Sequence, residues 1–267
     1  MRRPFTKMHG LGNDFVLFDA REDSLWLTAQ QVRGLCDRHT GIGCDQLFVL
    51  EPSSRADVFM RIWNADGGEV SACGNGARCV AAWLGGTPSI DTAAGLLHAT
   101  ATAGAACVDM GRPRFEWDAV PLAYAMDTAR LPVAWEELAG PTALSVGNPH
   151  VVFFVPDAAA VPLDRLGPAI EHDAIFPERV NVGIAEVTGP GLTLRVWERG
   201  AGLTRACGTG AVAAAVAGIR RGLVKSPVAV ALPGGTVEVT WQPGSGATLS
   251  GPATRVFDGA IDPEDFV

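Results

Sequence analysis

The sequence predicts an α+β fold of two similar domains, each a mostly antiparallel sheet curled around a buried central helix, with the active site in the cleft between them. Three observations lead there. The pattern Ala-Cys-Gly-polar-Gly-Ala occurs twice, at Ala72–Ala77 and Ala206–Ala211, half a chain apart. Each copy opens a stretch of small and apolar residues, GARCVAAWLGG and GAVAAAVAGIR, and a helix apolar around nearly its whole circumference has to be buried. Short β-rich runs, punctuated by glycine and proline, surround both copies.

In chain order, FVLFD (15–19) reads as the first clear strand, followed by TAQQVRGLCDRH (28–39), an amphipathic surface helix with Thr28 as its N-cap. VFMRIW (58–63) is the strand before the first buried helix, which starts near Asn75. HVVFFV (150–155) and LTLRVW (192–197) precede the second, which starts near Thr209, and PVAVAL (227–232) and TVEVTW (236–241) follow it. The first domain is expected to span residues 1–117 and the second 118–252, with the boundary in RPRFEWDAVP. The final segment, 253–267, is expected to return to the first domain as a strand through ATRVFDGAID.

Composition narrows the function. With 48% apolar and 19% charged residues the chain is globular, and a net charge of −8 provides no broad positive field for nucleic acid. No apolar run approaches the roughly 20 residues that cross a bilayer, and the start lacks a secretory signal. A cytoplasmic protein is expected, with its six cysteines reduced. Cys36, Cys44, Cys79 and Cys107 read as small hydrophobes.

Cys73 and Cys207 are different, because each stands where a buried helix begins. Free backbone N–H groups and the positive end of the helix dipole favour an anion there, and they can lower a thiol pKa from about 8.5 towards neutrality. Two such thiols, one ionised and one protonated, suit inversion at a carbon: one takes a proton from one face and the other delivers a proton to the opposite face. A Cys73–Cys207 disulfide is disfavoured by the compartment, and zinc by the spacing of Cys73 and Cys79 with no adjacent histidine. A pyridoxal cofactor needs a lysine, and neither Lys7 nor Lys225 sits in a phosphate-cradling context. No cofactor is expected.

Six ordered blocks, FTKMHGLGNDFVLFD, RHTGIGCDQ, RIWNADGGEVSACGNGARC, GNPHVVFFV, ERVNVGIAEV and WERGAGLTRACGTGA, resemble the diaminopimelate epimerase family. The resemblance implies a cofactor-independent isomerase that interconverts LL- and meso-diaminopimelate for lysine and peptidoglycan synthesis, acting as a homodimer on a small-molecule substrate. It implies that Cys73 and Cys207 are the proton-transfer residues. Gly74 with Asn75, and Gly208 with Thr209, then hold the reacting carboxylate. Asn13, Gln46, Asn64, Asn148, Asn181, Glu198 and Arg199 are implied as substrate contacts, with His150 and Glu198 assisting the thiols. An arginine fork suits a distal carboxylate. Asn13, Asn64 and Asn148 also lie in turn-like contexts, where asparagine serves the backbone alone.

Two alternatives remain at this stage. A proline or hydroxyproline racemase would use the same thiol pair but leave the polar set at 64, 181, 198 and 199 without a partner. A thiol hydrolase, with His150 as base and Asn148 as its orienter, leaves the second cysteine unexplained.

Overall fold

The computed structural model describes residues 1–266. The chain divides into two compact units, Met1–Val108 with the segment from Gly251 onward, and Asp109–Ser250.

The first unit begins with β1 (Arg3–Gly10) and β2 (Asn13–Asp19), joined by a two-residue turn. Leu11 and Gly12 both have positive φ, 59° and 83°, which gives the tight hairpin whose twist matches the strands. Then come α1 (Ala29–Cys36), β3 (Gln46–Glu51), β4 (Val58–Asn64), β5 (Glu69–Val70), α2 (Gly74–Leu84), β6 (Ser89–Thr92), β7 (Gly95–Thr102) and β8 (Ala105–Asp109). Residues 47–50 of β3 are all buried, so both faces of the sheet are covered. Val16, Phe18, Leu47 and Val49 face α1, and the alternate set Phe15 and Phe48, with rings stacked 4.8 Å apart, faces α2.

Thr28 caps α1 as expected, with Gln31 completing a capping box, but the helix stops at Cys36 rather than running to 39. Asp37 takes an extended conformation there. Its carboxylate accepts from the backbone of His39 and Thr40, which turns the chain away.

The second unit carries a short hairpin, β9 (Ala134–Trp135) and β10 (Leu138–Ala139), then β11 (Thr142–Ser145), β12 (Pro149–Phe154), α3 (Leu163–Glu171), β13 (Asn181–Thr188), β14 (Gly191–Glu198), β15 (Gly202–Thr204), α4 (Gly208–Arg220), β16 (Val228–Leu232), β17 (Gly235–Thr240) and β18 (Thr248–Pro252). Helix α4 packs against β11, β12, β13, β14, β16 and β17, which is a sheet curled around one helix. Helix α3 is not among the helices the sequence pattern marks, and it has Pro162 at its N-cap and Pro168 in its interior. It forms over the β13–β15 face, where Leu163, Leu166 and Ile170 enter the core. Gly167 is required at its position, since a Cβ would lie 2.5 Å from the Trp197 ring.

The two units have one topology. In the first, β1–β2 is antiparallel, β2–β3 parallel, β3–β4 antiparallel and β4–β6 parallel. The second repeats this order in β11–β12, β12–β13, β13–β14 and β14–β16. The last strand, β19 (Thr254–Ile261), adds antiparallel to the outer edge of β1 in the first unit. Among the described residues no helix is long and apolar enough to cross a membrane.

Candidate active site

Both central helices start on a cysteine. Cys73 is the N-cap of α2, with its Sγ accepting from the Gly76 N–H at 3.2 Å, and Cys207 is the N-cap of α4, with its Sγ accepting from the Gly210 N–H at 3.3 Å. Oxygen-bearing side chains cap better than sulfur. Capping strength does not account for a sulfur in both places, and the local geometry suits a thiolate, which the first-turn N–H groups would stabilise.

The topology lines up the remaining polar residues in equivalent places. In the first unit Asn13 opens β2, Gln46 opens β3, Asn64 closes β4 and Asn75 follows the cysteine. In the second Asn148 precedes β12, Asn181 opens β13, Glu198 closes β14 and Thr209 follows the cysteine. Asn13 is thus a strand residue, paired with Gly10, and not part of the turn itself.

Within the first unit these groups are wired together. Asn75 Nδ2 donates to Asn13 Oδ1 at 3.1 Å, and Asn13 Nδ2 donates to Asp45 at 2.8 Å. Arg38 bridges Asp45 and Asp14, at 2.7 and 2.6 Å. Burial would raise the Asp14 carboxyl, but hydrogen bonds and charge from Arg38 and Lys7 hold it at about 2. Gln46 and Asn64 are directly opposed in register, with Gln46 Nε2 donating to Asn64 Oδ1 at 2.9 Å. Gln46 Oε1 is buried and meets no donor in the protein, which leaves an acceptor open.

In the second unit Asn148 Nδ2 donates to Thr209 Oγ1 at 3.3 Å, and its Oδ1 accepts from His150 Nε2 at 3.0 Å. Burial, with the Arg199 charge adding to it, pushes His150 down to about 3, so the ring is neutral near pH 7. Asn181, opposite His150 in register, donates to the Pro149 carbonyl and accepts from the Arg199 backbone N–H. The Arg199 guanidinium donates to the Glu178 carbonyl at 3.0 Å.

Cys207 departs from the expectation for a helix-capping thiol. Burial and the adjacent Glu198 carboxylate push its pKa up, and together they outweigh the hydrogen bonds from Thr209 and the Gly210 N–H. Glu198 is itself raised by burial, partly offset by hydrogen bonds from Thr204 and from the Cys207 thiol. A thiol beside a carboxylate is a proton donor paired with an acceptor.

Sequence reasoning did not single out Asp14, Arg38, Asp45 or Thr204. Arg38 and Asp45 lie inside the RHTGIGCDQ block and Thr204 just before Cys207, so their signal was proximity to a motif rather than chemistry of their own.

Two topologically equivalent α+β units make up a duplicated fold that solved structures share. A phenazine biosynthesis protein of the PhzF family from Enterococcus faecalis matches with a TM-score of 0.72 at 13% identity, covering 98% of this chain and 100% of that one. A hydroxyproline epimerase from Agrobacterium vitis matches with a TM-score of 0.68 at 16% identity, over 97% and 92%. At these identities the likeness is one of fold.

The family is given by sequence. The family model described as diaminopimelate epimerase matches residues 5–116 and 142–256. The diaminopimelate epimerase of Sphingopyxis alaskensis is 60% identical over 98% of both chains, and that of Rhizorhabdus wittichii is 59% identical over 100% of this chain and 98% of its own. The chain belongs to the diaminopimelate epimerase family.

Proposed function

We propose that this chain is a cofactor-independent epimerase that interconverts LL- and meso-diaminopimelate, with Cys73 and Cys207 as its two proton-transfer groups. The observation that carries the reading is the pair of sulfur-capped helices at equivalent positions of a duplicated fold. One thiolate takes the α-proton from one face of the substrate carbon. The other thiol returns a proton to the opposite face, so each turnover exchanges the roles of the two sulfurs.

General acid–base action contributes only about 10²- to 10⁴-fold, so the charge developing on the carboxylate needs stabilising. The N–H groups of Gly74 and Asn75, and of Gly208 and Thr209, are the donors for it, at the positive ends of α2 and α4. Gln46 Oε1 is an acceptor suited to an ammonium. With Asn13, Asn64, Asn148 and Asn181 it forms the polar lining of the substrate site, and the Arg199 guanidinium serves the distal carboxylate. Glu198 assists Cys207. His150, neutral and bonded to Asn148, assists by fixing that amide. The same reading makes the enzyme a cytoplasmic homodimer in lysine and peptidoglycan precursor synthesis.

Proton NMR in D₂O without added cofactor tests this, with LL-diaminopimelate in one tube and L-proline in another. Loss of the diaminopimelate α-proton with growth of the meso form is expected, and Cys73→Ala and Cys207→Ala should each abolish epimerisation. Exchange of proline alone would overturn the substrate, and exchange of neither would overturn the mechanism.

A further inference from the structure

Helix α2 encloses a cation. Arg78, five residues after Cys73, is fully buried, and none of its three guanidinium nitrogens meets a hydrogen-bond acceptor in the protein. Removing a charge from water without compensation costs about several kcal/mol, so an opposite charge is expected close by.

The surroundings leave few sources for it. Strand β1 turns Thr6 and Gly10 towards α2: Thr6 accepts from Trp83, and a Cβ on Gly10 would lie 3.2 Å from Arg78 Nη2. The charged residues of β1 point the other way, with Arg3 bonded to Asp23 and Lys7 to Asp14 and the Gly43 carbonyl, while His9 Nδ1 accepts from the Gly12 N–H. On β19, Asp258 is held by Arg255 and Thr6. On β7, His98 is exposed, and on β3, Glu51 is held by Arg61. The groups that do act on Arg78 are two thiols of its own helix, Cys79 and Cys73. Burial pushes Cys79 up to about 12, so it remains a neutral thiol. Cys73, half-buried at the helix N-terminus, is the one left to carry charge.

We propose that Arg78 is a positioning residue whose buried guanidinium is the counter-charge of the Cys73 thiolate, making Cys73 the member of the pair that rests ionised. The proposal rests on the reading of Cys73 as a proton-transfer group. The second unit shows the contrast. At the place equivalent to Arg78, α4 has the fully buried Val212, and its cap thiol lies beside the Glu198 carboxylate, which favours the protonated form. A cation acting on one thiol and a carboxylate beside the other give one thiolate and one thiol, the combination that two-base inversion needs at its start.

The test is alkylation of the intact protein with iodoacetamide across pH, read at the Cys73 peptide by mass spectrometry, in wild type, Arg78→Met and Arg78→Lys. In wild type the reactivity of Cys73 is expected to titrate with a midpoint below the ordinary thiol value of about 8.5. Arg78→Met should raise that midpoint by about 1 to 2 pH units, and Arg78→Lys, which keeps the charge, by less. A wild-type midpoint at or above about 8.5 overturns the proposal even where the methionine variant fails to fold. So does an unchanged midpoint in Arg78→Met, or a lysine variant shifted as far as the methionine one, which would mean packing rather than charge. Failure of the underlying reading appears separately, as absence of α-proton exchange by the wild-type protein in D₂O.

Discussion

Gly76→Ala probes the seat of Cys73 directly. A Cβ at residue 76 would lie 2.3 Å from Phe48 Cζ and 2.6 Å from Cε2. Ordinary carbon contact begins at about 3.5 Å, so the methyl is roughly 1.2 Å too close. Phe48 cannot yield, because it is fully buried and stacked on Phe15. The strain therefore falls on the first turn of α2, where the same Cβ would lie 3.3 Å from Cys73 Sγ. Overpacking of this kind costs about 1–3 kcal/mol, and the better helix propensity of alanine returns about 0.5–1. The net loss is up to about 2.5 kcal/mol, or as much as roughly 5–10 °C in Tm for a chain of this size. A displacement of about 1 Å at the reacting thiol should cost about 10²-fold in rate. Gly210→Ala is the internal control: its Cβ would stand 3.0 Å from Val196 Cγ2, a conflict of a few tenths of an ångström, so its stability loss should be the smaller. Circular dichroism melts and α-proton exchange read both. A Gly76→Ala protein that melts at the wild-type temperature with an undiminished rate, or one more stable than Gly210→Ala, would refute the argument.

Glu198→Gln should lower the rate of epimerisation by about 10²-fold and move the alkylation profile of Cys207 to lower pH, because the charge that favours the protonated thiol is gone while burial remains; a move to higher pH would contradict it. His150 has a folded pKa of about 3 against 6.5 when unfolded, so its contribution is complete above about pH 6.5 and is lost as pH falls towards 3. The linked loss is on the order of 5 kcal/mol, and urea denaturation of His150→Gln across that range should show a correspondingly flatter acid limb. Thr28→Ala removes the cap of α1 and half of its capping box, and should cost about 1 kcal/mol in denaturant stability with little change in rate.

Much of the fold was legible in local pattern. The duplicated Cys-Gly-polar-Gly starts and the small-residue runs after them marked α2 and α4, because full-circumference apolarity admits only burial. The Thr28–Gln31 capping box marked the start of α1, since it depends on residues three apart. The runs at 58–63 and 192–197 became β4 and β14 within a residue or two.

What depended on distant segments was not legible. Helix α3 forms despite Pro162, Gly167 and Pro168, because its apolar side closes the core of the second unit and Gly167 admits the Trp197 ring. Asn13 is held by Asp45, which is itself bonded to Arg38, and both come from beyond α1. The helix-dipole argument alone lowers both cap thiols, yet Cys207 is raised, because the β14–β15 hairpin brings Glu198 beside it and burial strips both groups of water. Sequence spacing determined that two thiols would sit at two helix starts. Desolvation and neighbouring charge, which exist only once the chain has folded, decided that those two thiols are not alike.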